Sequence, residues 1–402
     1  AQTTYADMVS GYVGTILDTK SKEITVWDGT IPTSMPDYLG EGTENNPYLI
    51  QNGTHLYWAV TNTNRGVYFK LAKDIVLNDI TVDNTGATPV IYDKDGNTLT
   101  DYTSLNSWNT DPNKMFGGTI NGDGHVIRGL FIAEDYNGNV ADDWKIGYGL
   151  VSRIVDTNTQ TTLLNLGIED SYIKTTNSVA AAFIGTLSTS QGEVSLNNCY
   201  VGDSVYVYSQ NSSGFIGSGG GKNLKIGISN SYVLARIESV GGHGAILGGV
   251  WSPFNCTITN CYATTHMYGN EVPNSVNCYT SGTKQQGAVK RVTDDTLKLR
   301  TLAPGSSYYF TGSYPILKVF AGIPQNVWSG YLDSQIEGSG TSIADPYIIA
   351  TPEQFAYVVS SGGAEGKYYK LTNDIYFNDV EKMNWNNGMP VGNYQPQVWF
   401  NK

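Results

Sequence analysis

Five tyrosines are the residues best placed to do chemistry at a surface. Tyr172, Tyr200, Tyr232, Tyr262 and Tyr279 each follow an acid or amide by two places, namely Asp170, Asn198, Asn230, Asn260 and Asn277. Aromatic rings set in a line can stack on the apolar faces of sugar rings. If the bend at each Asn resets the alternation of the strand, the rings form an outward, ligand-binding strip. If the alternation continues, they fill the interior. The interior placement is expected, because stacked aromatics commonly fill coiled sheets.

The remaining chemistry-bearing residues do not assemble into an active site. Lyases need a Lys or Arg base beside carboxylates, and glycosidases need two carboxyl groups roughly 5–10 Å apart. Glu169, Asp170, Glu193, Asp203 and Glu238 are scattered through the sequence, and the rung after Asp170 offers no matching acid. His55, His125, His243 and His266 have no metal-ligand spacing, and His125 belongs to a Gly-rich turn in which it is expected to hydrogen-bond. No Ser/His/Asp or Cys/His arrangement, HExxH helix or Walker loop is present. The expectation is therefore no catalytic residue, no metal and no cofactor. Asp93-Lys94-Asp95-Gly96-Asn97 has the opening of a Ca²⁺ loop but lacks its later Glu, and the flanking Ile91-Tyr92 and Thr98-Leu99 predict an Asp-Gly hairpin.

What must position these residues is a repeat. A small residue, two apolar residues and another small one recur as Gly149-Leu150-Val151-Ser152, Ala182-Phe183-Ile184-Gly185, Gly214-Phe215-Ile216-Gly217 and Ala245-Ile246-Leu247-Gly248, at spacings of 33, 32 and 31. Each is followed by or follows a second marker: Ile168 to Ile173, Leu196 to Val201, Ile228 to Val233 and Ile258 to Ala263, with an echo at Asn277 to Thr280. Each unit holds short β-prone runs split by Gly, Ser and Asn, so it cannot bury its own apolar face and must stack on its neighbours. The predicted fold is all-β, a right-handed single-stranded parallel β-helix with short helical caps. Asp170, Asn198, Asn230, Asn260 and Asn277 would form one ladder, since Asn tolerates positive φ and bonds its own kind one rung away. Cys199, Cys261 and Cys278 share a site with Ser171 and Ser231, which predicts small buried free thiols; only Cys261 and Cys278 would be close enough to bridge.

Composition agrees with this class and excludes others. Only 15% of the 402 residues are charged, against 46 Gly and 28 Tyr, and the net charge of −12 comes without any basic run. Nucleic acid and insertion into a membrane are therefore not expected partners. The tetrapeptides followed by Asn-Cys-Tyr variants resemble GLUG repeats, and Gly118 to Leu130 resembles the rung that precedes them. The resemblance covers roughly residues 115–320 and implies a bacterial surface or secreted protein with adhesive or accessory roles.

A longer duplication frames the repeats. Trp27-Asp28-Gly29, Pro47-Tyr48-Leu49-Ile50 and Tyr68 to Ile80 recur as Trp328-Ser329-Gly330, Pro346-Tyr347-Ile348-Ile349 and Tyr368 to Val380. Thr351-Pro352-Glu353-Gln354 carries an N-cap, a first-turn Pro and a capping-box Gln, so each copy should hold a short helix that covers the open end of the coil. The expected domains are an N-terminal segment (1–26), the first entrance (27–81), an inserted hairpin and loop (82–114), the repeats with their closing segment (115–320) and an incomplete second module (321–402). The Ala1-Gln2 start suits a processed secreted product, and the break at Lys402 suits a piece of a tandem array. The expected function is a non-enzymatic extracellular adhesin or stalk that binds a glycan or cell-surface ligand, with end-to-end contact to a further module or subunit. The alternatives are a polysaccharide lyase or glycoside hydrolase, or an accessory domain of one, and a structural spacer.

Overall fold

The computed structural model describes residues 25–62, 65–108, 115–135, 147–154, 160–176, 178–187, 191–219, 223–250, 255–269, 273–284, 286–299, 302, 304–324, 326–361, 363, 365–378, 383–384 and 389–390. The expectations placed on Ala1-Gln2 and on the run up to Lys402 lie outside these residues.

The repeats form parallel strands that curl round a common interior. The first ladder stacks Thr119–Arg128, Gln160–Glu169, Gln191–Asn197, Asn223–Ser229, Asn255–Thr259 and Asn274–Val276. A second stacks Phe131–Asp135, Ser171–Thr176, Val205–Ser209 and Arg236–Ser239. Two more contain Val179–Ala181 and Ile184–Leu187 with their neighbours above and below. From Thr119 to Val250 the chain meets these ladders in the same order on each turn, and the later strands Asn255–Thr259 and Asn274–Val276 extend the first ladder alone.

Alternation places one apolar column inside. Ile120, Leu163, Leu196, Ile228 and Ile258 are paired in register and at most 1% exposed. Burying each such side chain contributes about 1.5–3 kcal/mol. The recurrent tetrapeptide gains a physical reason: a Cβ on Gly185 would lie 2.4 Å from the Gly147 backbone, and one on Gly248 would lie 2.4 Å from the Gly217 carbonyl. Close stacking of successive rungs excludes a side chain there.

The bends form an amide ladder whose first member differs from the expected one. Asn165, Asn198, Asn230, Asn260 and Asn277 all have φ between 48° and 54°. Asn198 Nδ2 donates to Asn165 Oδ1 at 3.1 Å, Asn260 to Asn230 at 3.1 Å and Asn277 to Asn260 at 2.9 Å, while Asn230 donates to the neighbouring Asn197 at 3.1 Å. Asp170 is not in this ladder. The register pairs Leu163 with Leu196 and Gly167 with Tyr200, which sets Asn165 opposite Asn198 and moves Asp170 to the next bend, beside Ser204. Ser171 moves with it, so the small interior site holds Cys199, Ser231, Cys261 and Cys278. All four thiols of the chain are free and buried, and burial pushes Cys199 and Cys256 up to about 12.

The two copies of the entrance share several backbone bonds. Trp27 N donates to Val76 O at 2.9 Å and Trp328 N to Tyr376 O at 2.8 Å; Tyr68 N bonds Gly42 O as Tyr368 N bonds Gly340 O. Each holds a helix, Gly53–Thr61 capped by Asn52 and Pro352–Ser360 capped by Thr351 in the expected capping box. In the first copy Leu56, Tyr57, Ala59 and Val60 close the interior, with Trp27 against Tyr57 and Trp108. The second copy is clasped to the closing segment of the first. There the fully buried Lys318 Nζ donates to Val327 O at 2.6 Å and lies 3.7 Å from Glu353 Oε1, which also accepts from Ser329 N.

Two predictions follow from these bends and thiols. Asn230→Ala should destabilise the chain by about 1–3 kcal/mol in urea, and Asn230→Gly by less, because glycine keeps the positive φ and loses only the amide bonds; equal losses would show that the backbone angle is irrelevant. Without reductant, iodoacetamide should label four thiols in the unfolded chain and none in the native one. A mass deficit of two protons would show a disulfide instead.

Candidate functional site

The tyrosines do not form one strip. Tyr200, Tyr232, Tyr262 and Tyr279 stand in one register column, whose earlier members are Gly167 and Val126. Tyr172 belongs to another column, with Phe131 and Tyr206. The positive-φ bends at Asn198, Asn230, Asn260 and Asn277 reset the phase before the first column, and Asp170 makes the bend before Tyr172; both columns pack outside the interior cluster. Each is nevertheless buried, at 0–8% exposure, because a separate segment covers it.

The first column is roofed by the closing segment. Its rings stack at 5.0 and 4.9 Å, and Leu297, Tyr308, Leu317, Phe320 and Tyr331 pack over them. Tyr262 Oη donates to Pro315 O at 2.5 Å. The second column is roofed by the inserted strap, whose strands Ile80–Asp83 and Val90–Asp93 pair antiparallel and set Ile80, Val82 and Ile91 on Tyr172 and Tyr206. The Asp-Gly turn is present: Asp93 N bonds Asn97 O, and Leu99 N bonds Ile91 O. Arg236 fastens the strap tip, donating to Gly86 O at 2.6 Å and Ala87 O at 2.7 Å while paired with Glu238. Neither column leaves a ring face open to a sugar.

Between the two roofs lies a charged corner drawn from successive rungs. Arg128 Nη2 lies 2.8 Å from Glu169 Oε2 and its Nη1 lies 3.1 Å from Asp74 Oδ2, while its Nε reaches Glu169 at 3.0 Å and Asp170 at 3.8 Å. His125 Nδ1 meets Asp74 Oδ1 at 3.0 Å, so its partner comes from the entrance rather than from its own turn. Tyr200 Oη donates to Glu169 Oε1. Phe320 packs edge-on against Tyr200 from one side, and Asn84 of the strap bonds Asp203 O and Val205 O on the other. The side chains of Asp74, His125, Arg128, Glu169 and Asp170 are 22–31% exposed. Sequence reasoning missed this corner because Asp74 and Glu169 are 95 positions apart; the signal was the register that places Arg128 opposite Glu169.

The corner splits its carboxyl groups. Burial works against ionised Asp74, but hydrogen bonds from His125 and Val126 N and the charge of Arg128 overcome it and hold the group well below the usual range. Burial also raises Asp170, the charge of Glu169 raises it further, and Ser204 and Arg128 oppose them only in part, leaving it at about 6. A carboxyl that exchanges its proton near neutral pH can donate or accept a hydrogen bond, or transfer the proton. Arg128 is held charged: burial disfavours this, but Glu169 and Asp74 outweigh it.

The other histidines serve the fold. His266 Nε2 bonds His243 O at 2.6 Å, the rings lie 4.3 Å apart, and burial first, then His243 and Lys284, lower His266 to about 4. His55 packs edge-on against Tyr38 beneath the first helix. Among the described residues no group of three His, Cys, Asp or Glu is placed to hold a metal ion.

No family model matches this chain, and no curated protein matches it. Among solved structures, one described as "a putative immunoglobulin A1 protease from Bacteroides ovatus" is similar over 70% of this chain and 94% of that chain, at 16% identity and a TM-score of 0.40.

Because Asp170 binds its proton more tightly folded than unfolded, its stabilising contribution is complete below about pH 4 and is lost as pH rises through about 6. Asp170→Asn keeps a side chain that tolerates positive φ and carries no charge. It should raise stability at pH 7.5 by about 1–3 kcal/mol and by little at pH 4. Denaturation at the two pH values checks this, and an equal change at both would remove Asp170 from the titration.

Proposed function

We propose that this chain is a non-enzymatic extracellular surface module that binds a polysaccharide or another hydroxyl-rich cell-surface ligand. Its support is a right-handed single-stranded parallel β-helix of the GLUG-repeat kind acting as a stiff stalk. The regular register, the Asn ladder and the glycines at the close rung contacts support that reading of the fold. The ligand meets the charged corner rather than the tyrosines, which the two roofs occupy.

One observation carries the binding reading: Arg128 has its charge matched by Asp74 and Glu169. A guanidinium already paired does not demand an anionic ligand, and the fixed, part-exposed carboxylates around it accept hydrogen bonds from neutral hydroxyl groups. A second reading, glycoside hydrolysis, draws support from Asp170 and Glu169, which share Arg128 Nε as neighbour while Asp170 keeps a proton to give near pH 6.

Titration against a panel of neutral and acidic polysaccharides, with reducing ends measured in parallel, separates the readings. Binding without turnover, weakened about tenfold by Glu169→Gln through loss of charge-assisted hydrogen bonds, is the expected result. Release of reducing ends that Asp170→Asn abolishes would replace it with the hydrolase. Absence of any binding would leave the structural spacer.

A further inference from the structure

The second entrance repeats the first up to the point at which the first receives its next rung. In the first copy, Tyr68–Leu71 pairs on one edge with Tyr48–Ile50 and on the other with Thr119–Arg128, where Phe69 faces Ile120. Phe69 and Leu71 are 2% and 0% exposed. In the second copy, Tyr369–Leu371 pairs with Tyr347–Ile349 in the same register, yet Leu371 is 53% exposed. Tyr376, the counterpart of the buried Val76, is 40% exposed. A hollow of about 750 Å³ opens beside them, lined by Phe355, Leu371, Thr372, Asp374, Ile375 and Phe377 among others.

Charge points to the occupant. Asp74 is satisfied wholly by the incoming rung: it accepts from His125, Val126 N and Arg128. Its counterpart is Asp374, which lines the hollow, is exposed and has no ion pair or hydrogen bond among the described residues. We infer that the second entrance is a socket for a further rung with the chemistry of Thr119–Arg128, supplied by a module of the same repeat type. Such a rung adds a parallel strand to Tyr369–Leu371, lays an apolar side chain on Leu371 and brings a His or Arg and a backbone N–H to Asp374. A second copy of this chain is a poor donor, since its own Thr119–Arg128 is held on both edges, by Tyr68–Leu71 and Gln160–Glu169. The inference rests on the internal duplication and stands apart from the glycan reading.

A fluorescent peptide with the sequence of residues 115–131 serves as the probe, titrated into the full chain and followed by anisotropy. Saturable binding is expected, lost in Leu371→Asp and weakened about tenfold or more in Asp374→Asn. A peptide with both His125 and Arg128 replaced by Gln should bind the unaltered chain as weakly as the unaltered peptide binds Asp374→Asn. No saturable binding, or binding that Asp374→Asn leaves unchanged, would overturn the inference. So would self-association of the chain that the peptide does not compete, which would assign the socket to a second copy.

Discussion

The positive φ at one Asn per turn is the constraint on which the rest of this structure depends. A strand that continued straight would present its alternating residues to the same two faces throughout. Asn165, Asn198, Asn230, Asn260 and Asn277 break that alternation at the same height on successive rungs. Before the bend, one apolar column lines the interior; after it, the tyrosines turn outward. The bend is held in part because the Asn side chains donate along the stack, Asn198 to Asn165, Asn260 to Asn230 and Asn277 to Asn260, while Asn230 reaches Asn197 and Asn198 Oδ1 is buried without a partner.

Turning aromatic columns outward creates a liability, and two covering segments resolve it. A bare strip of stacked tyrosines would be a large exposed apolar patch. The closing segment covers one strip and the strap covers the other, each adding its own apolar residues to the outer cluster. The charged corner lies where the two roofs stop short of each other. Its electrostatics follow from that half-buried position: deep enough for burial to raise Asp170, open enough for the side chains to reach solvent.

Periodicity made most of the fold legible. The recurrent small residues and the two entrances were readable because they repeat in the letters at fixed spacings, and the capped helix at Thr351 and the Asp-Gly turn because they depend on neighbours close in sequence. The register of one rung was not. Leu163-Leu164-Asn165 and Ile168-Glu169-Asp170 are similar strings five positions apart, and both end in a residue with positive φ. Only pairing distinguishes them, and the string with Tyr172 imitates the true repeat more closely in its letters. The roofs were hidden for a related reason: Pro315 meets Tyr262 across 53 positions and Arg236 meets Gly86 across 150, contacts that no local pattern announces.

That last contact also bears on how the molecule comes apart. A stack in which each rung touches only its neighbours frays from its ends, losing one unit at a time. Here Asn84 bonds Asp203 O and Val205 O, and Arg236 holds Gly86 and Ala87, so a segment that leaves the coil before the second rung is fastened to rungs well beyond it. Loss of a middle rung therefore frees the strap, and loss of the strap uncovers the aromatic column that the middle rungs share. Unfolding of this part of the coil becomes cooperative across rungs that are not neighbours, which a simple nearest-neighbour array does not provide.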